Sequence, residues 1–93
     1  MSFTTTITKR YFEMKLVDLK NLGFFEEYKN YTRFWETRYC NLNYSLPCNA
    51  VFLVGSKVHR FTLIEKKIIN KCEVPEKYYD VISTDKVFVF RCV

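Results

Sequence analysis

Apolar and polar side chains alternate from residue 10 to residue 17: Phe12, Met14 and Leu16 fall on one side, Glu13 and Lys15 on the other. That period of two predicts a half-buried strand. Asp18 then stands where a helix N-cap is expected, and Leu19, Leu22, Phe25 and Tyr28 follow at helical spacing, with Lys20, Glu26, Glu27 and Lys29 facing water. The helix should end near Asn30, with Gly23 inside it as a weak point. Residues 32–39 are rich in aromatic and β-favouring types and predict a strand. NLNYSLPCN, residues 41–49, reads as a loop, and Ala50–Val54 as a short buried strand. Gly55-Ser56-Lys57 reads as a hairpin turn, and Val58 to about Ile69 as a long strand. Pro75 opens a short helix carrying Tyr78, Tyr79 and Ile82. Lys86–Cys92 has period two, with Val87, Val89 and Arg91 against Phe88, Phe90 and Cys92.

The predicted order is therefore β, α, β, β, β, short α, β in one domain spanning residues 1–93. Short, mainly antiparallel strands with one prominent helix imply an α+β fold, a small curved sheet or barrel with helices against it. Gly occurs twice and Pro twice in 93 residues, and there is no internal repeat, linker or low-complexity tract.

Composition adds a preference for partner. Hydrophobic content of 48% and aromatic content of 18% exclude a disordered chain. A formal charge of +5 and a pI near 9.1 favour an anionic partner such as nucleic acid. Cys40, Cys48, Cys72 and Cys92 form no CxxC pair, so they read as reduced, mostly buried thiols rather than zinc or redox ligands. The N-terminus MSFTTTITKR has no apolar leader, and no apolar run approaches the length of a membrane span. An intracellular protein, in cytoplasm or nucleus, is expected. The sequons at Asn30 and Asn43 then carry no meaning. Neither a P-loop, GxGxxG, a metal-spaced His/Cys cluster nor a nucleophile elbow is present, so no metal or cofactor is expected.

The densest chemistry lies in YTRFWETR, residues 31–38. On a strand, Glu36 and Arg38 would share a face and Arg33 would reach its rim. Such a cation–acid–cation cluster can hold a phosphate or a base edge, and Glu36 can serve as a general base if buried. The same spacing also describes an ordinary surface ion pair. Trp35, the only tryptophan, should point to the core, while Tyr31 can stack on a base. His59, the only histidine, lies beside Arg60 and has no nucleophile partner in the sequence, which favours a structural role. Glu73, Glu76 and Asp80 surround the Pro75 helix, either as helix-end charges or as a second acid near a cleft.

YTRFWETR resembles the GxKxxExR signature of the ASCH domain, a PUA-like fold. Arg33 stands at the lysine position, Glu36 at the glutamate, Arg38 at the arginine and Tyr31 at the glycine. The flanking segments NAVFLVG, HRFTLIEKKII and KVFVFRC are similar in arrangement. The resemblance implies a small β-barrel whose cleft binds single-stranded RNA or a nucleoside-like ligand. Some relatives cleave RNA, and others hydrolyse an acyl group from a modified cytidine. Arginine at the lysine position stays protonated, which argues against that amide hydrolysis and leaves metal-independent RNA cleavage open. By this reading Arg33, Glu36 and Arg38 form the catalytic or gripping centre. Lys29, Tyr31, Thr32, Lys57, His59 and Arg60 form the nucleic-acid track. The compact organisation and the many Asn, Lys, Tyr and Phe residues fit a protein of a large DNA virus, working inside an infected cell. Two other readings use the same residues: an enzyme on a modified nucleoside, and a non-catalytic module that binds protein through strand edges and exposed aromatics.

Overall fold

The computed structural model describes residues 2–40 and 45–93, with residues 39 and 40 described by their backbone alone. Its elements are β1 (Ser2–Thr6), α1 (Lys9–Leu22), β2 (Phe25–Asn30), α2 (Arg33–Trp35), a π-helical turn (Glu36–Cys40), β3 (Cys48–Val54), β4 (Lys57–Asn70), a 3-10 turn (Lys71–Glu73), a 3-10 helix (Glu76–Val81) and β5 (Lys86–Cys92). The five strands form one mixed sheet in the order β1-β3-β4-β5-β2. β1 runs parallel to β3, and the other three pairings are antiparallel. The fold is α+β, as expected. The sheet is open, with β1 and β2 at its edges, so closure into a barrel is not observed.

The second half of the chain follows its pattern. β3 and β4 meet at Gly55-Ser56, where Gly55 takes the left-handed φ of 60° that a tight hairpin needs. β4 pairs with β3 through Leu63, then shifts register between Leu63 and Glu65 and pairs with β5 to Asn70. Pro75 precedes the Glu76–Val81 3-10 helix. Residues 41–44 of the expected loop lie outside the described residues, and Cys48 and Asn49 belong to β3 instead.

The first half is displaced from its expected places. Residues 10–17 are helical, because Phe12, Lys15 and Leu19 make an inward stripe at i, i+3 and i+7. The alternating set fails as a strand face: Leu16 is 39% exposed. α1 ends at Gly23, whose φ of 82° and N–H bond to the Leu19 carbonyl make it a C-terminal cap rather than an interior flaw. Asp18 is therefore no N-cap. Its carboxylate accepts from Lys77 Nζ at 2.6 Å and from the Tyr78 hydroxyl at 2.9 Å, fastening α1 to the 3-10 helix. Residues 25–30, expected to be helical, are the edge strand β2.

The strand expected at 32–39 is likewise replaced by α2 and the π-helical turn. Thr32 Oγ1 accepts the Trp35 N–H at 3.2 Å, and Thr37 Oγ1 donates to the Arg33 and Phe34 carbonyls at 3.0 Å. These local side-chain bonds stabilise a turn more directly than aromatic β-propensity stabilises a strand without a neighbour.

β5 is buried on both faces and divides the core. Phe88, Phe90 and Cys92 join Phe3, Phe25, Phe52 and Leu63 on one side. Val87 and Val89 join Tyr28, Val74, Tyr78 and Ile82 on the other. The Phe3 and Phe90 rings are 4.5 Å apart although their strands are three steps apart, about 14 Å in a flat sheet. The sheet is thus strongly curled, and α1 lies against its open side through Phe12. Among the described cysteines only Cys92 is buried, while Cys72 is exposed. No helix among the described residues is long and apolar enough to cross a membrane.

Candidate functional site

A cavity of about 350 Å³ opens between α1, the edge strand β2 and α2. Lys15 and Glu27 line it and are both buried. The inward stripe of α1 carries Lys15 between Phe12 and Leu19, and the pleat of β2 turns Glu27 to the same side as Phe25. Lys15 Nζ donates to the Glu26 carbonyl at 2.6 Å and lies 3.7 Å from Glu27 Oε1. It also faces the Tyr78 ring at 4.2 Å and the Tyr28 ring at 5.2 Å. Glu27 Oε1 accepts the Tyr28 backbone N–H at 2.8 Å.

Burial pulls the Lys15 amine below its ordinary range, opposed by the carboxylates of Glu27 and Asp18. Burial likewise pushes the Tyr28 and Tyr78 phenols well above theirs, and the hydrogen bond to Asp18 adds to the rise at Tyr78. The cavity thus has aromatic walls, one cation and one acid inside, and a second cation, Lys29, at its edge. Lys29 Nζ sits 5.2 Å from the Trp35 ring.

Of the residues singled out from sequence, Lys29 and Thr32 line this cavity. Tyr31 is beside it, its ring stacked on Phe88 at 4.9 Å and its hydroxyl donating to Glu36 Oε1 at 2.9 Å. Glu36 and Arg38 do not share a strand face as expected, because residues two apart on a helical turn point in different directions. Arg33 is exposed on α2, Glu36 is held by Tyr31, and the Arg38 guanidinium lies 5.7 Å from the exposed Phe34 ring. Trp35 packs partly on the core and partly lines the cavity.

Lys57, His59 and Arg60 sit elsewhere, on the β3–β4 hairpin. Lys57 and His59 border a second cavity on another flank of α1, and the His59 ring packs on Phe12 at 4.4 Å, a structural contact. Glu73 closes a capping box with Asn70, and Asp80 pairs with Arg10 at 3.4 Å. Glu73 serves as a helix-end partner, and Asp80 also accepts a hydrogen bond from Tyr11 at the cavity wall.

The Lys15–Glu27 pair was not legible while residues 10–17 read as a strand and 18–30 as a helix, since both side chains then faced water. Read as a helix, residues 9–22 do carry the signal: a lysine centred on the apolar stripe. Compared with protein-family models, curated proteins and solved structures, the chain matches none of them.

Proposed function

We propose that this chain is an ASCH-like RNA-binding module that holds single-stranded RNA across β2 and α2 and takes one base into the cavity. The curled sheet is read as an opened form of a small ASCH-like barrel. The observation that carries the proposal is the pairing of Trp35 with Lys29 at a cavity of ligand size. An aromatic plane offers stacking to any base, and a lysine beside it offers charge to the adjoining phosphate. Arg33, exposed one turn away on α2, extends that charge, and the net charge of +5 favours the encounter. Because helical turns replace the strand that would align Glu36 with Arg38, and Glu36 accepts from the Tyr31 hydroxyl, the proposal is for binding rather than cleavage.

Fluorescence anisotropy with a labelled single-stranded RNA tests it. Affinity should fall steeply and log-linearly with salt. Trp35→Ala should weaken binding by about 1–3 kcal/mol, the worth of one stacked base. Absent or salt-independent binding would refute the reading.

A further inference from the structure

We propose that the cavity selects guanine, with Glu27 accepting from its N1–H and N2 amino groups and Lys15 donating to its O6. The inference rests on the RNA-binding reading and names the base that the site would take.

The two buried groups leave hydrogen-bonding capacity unused. Glu27 Oε1 already accepts the Tyr28 N–H, while Oε2 takes up no hydrogen bond among the described residues. Lys15 Nζ is 3.7 Å from Oε1, too far for a hydrogen bond of ordinary strength. An ammonium carries three donors, and one is spent on the Glu26 carbonyl. Side by side, then, stand an acceptor pair with spare lone pairs and a donor with spare protons, both shielded from bulk water.

A flat ligand that enters the cavity past Trp35 and reaches Lys15 and Glu27 must satisfy both groups, or leave them desolvated and unpaired. Guanine presents an acceptor, O6, beside two donors, N1–H and the N2 amino group. That order meets one ammonium and one carboxylate with three hydrogen bonds. Cytosine sets two acceptors next to a single amino group, so one faces the carboxylate unfavourably. Uracil offers one donor between two acceptors, with the same conflict. Adenine supplies one donor and one acceptor and leaves the second carboxylate oxygen unmet. A site built around buried hydrogen-bonding groups discriminates against ligands that cannot complete them. With the base seated, the sugar and phosphate lie toward the edge where Lys29 stands.

The test uses the full chain and the emission of Trp35, its only tryptophan, as reporter. GMP, IMP, AMP, CMP and UMP are titrated separately, alongside short single-stranded oligoribonucleotides with or without one central guanine. GMP should bind about tenfold or more tighter than AMP, CMP or UMP, the scale of one well-made bidentate base contact. IMP, which lacks only the N2 amino group, should fall between. The guanine oligonucleotide should show the same preference at higher overall affinity. Glu27→Gln, which replaces one acceptor oxygen by a donor, should narrow the ratio. The wild-type panel decides the matter if that variant does not fold. Equal affinity for all five nucleotides with RNA binding retained overturns the guanine inference and leaves the RNA reading standing. Preference for GMP with no affinity for RNA supports the inference, overturns the RNA reading and assigns the site to a free guanine nucleotide. No binding of either overturns both.

Discussion

Replacing Glu27 by glutamine removes one charge from a buried pair while keeping size and shape. Lys15 Nζ lies 3.7 Å from Glu27 Oε1, and at an effective dielectric near 20 that attraction is about 4–5 kcal/mol. Glutamine can still accept the Tyr28 N–H through its amide oxygen, so the local backbone bond survives. Relief from desolvating the carboxylate offsets part of the loss. About 3 kcal/mol should remain at neutral pH, the low end for stranding one partner of a buried pair.

The loss should also depend on pH, with a definite sign. In the folded protein Lys15 gives up its proton below the ordinary lysine value of 10.5, because burial disfavours its charged form. Between those two points the unfolded chain holds more protons than the folded one, so stability rises with pH. Without Glu27 to hold the proton on, that window reaches lower and the rise is larger. The deficit of Glu27→Gln relative to wild type should therefore shrink between pH 7 and pH 10. Urea unfolding followed by circular dichroism at several pH values measures it. Lys15→Met combined with Glu27→Gln should recover most of the stability, since no charge is then stranded. A single-variant cost below about 1 kcal/mol at pH 7, or a deficit that grows with pH, would refute the reasoning.

Three further outcomes are expected. Gly23→Ala should cost about 1–2 kcal/mol in urea unfolding, from its φ of 82°, because no atom of the described residues lies within 4 Å of an added Cβ. Thr32→Ala should lower stability by about 1 kcal/mol in thermal melts by removing the acceptor for the Trp35 N–H, and Thr32→Ser should restore it. Iodoacetamide at pH 8 should modify exposed Cys72 and spare Cys92, whose thiol burial pushes up to about 12, until urea is added; peptide mass mapping reads both sites.

The parts of the fold that were legible in the sequence are those where one residue admits few alternatives. Gly55 in a turn, Pro75 ahead of a short helix and the strict alternation of residues 86–92 each marked their element in place. The segment 10–17 was different, because its apolar residues satisfy a period of two and a helical stripe together. Reading a strand there displaces the helix that follows it, while the strand expected at 32–39 yields separately to the side-chain bonds of Thr32 and Thr37. The first strand is Ser2–Thr6, where none was expected, the helix belongs at Lys9–Leu22, the next strand at Phe25–Asn30, and helical turns follow where a strand was expected. Gly23 held the correction, since a glycine after a run of helix formers is a cap at least as readily as an interior defect. The site suffered most from that shift. Lys29 and Thr32, singled out by chemical type, line the cavity, and so does Trp35, which was expected in the core; Lys15 and Glu27 take their meaning from which way a backbone turns them.

The position of β5 sets a condition on how the protein is made. Among the described residues β2 pairs only with β5, which lies between it and β4. Phe25 and Tyr28, synthesised early, therefore have no strand partner until residues 86–92 have left the ribosome. Docking of β2 into this sheet must therefore follow β5, whereas β1, β3 and β4 can pair without it. A protease would act unequally on such a molecule: removing β1 trims a border, whereas removing β5 divides the sheet and leaves β2 without its strand neighbour.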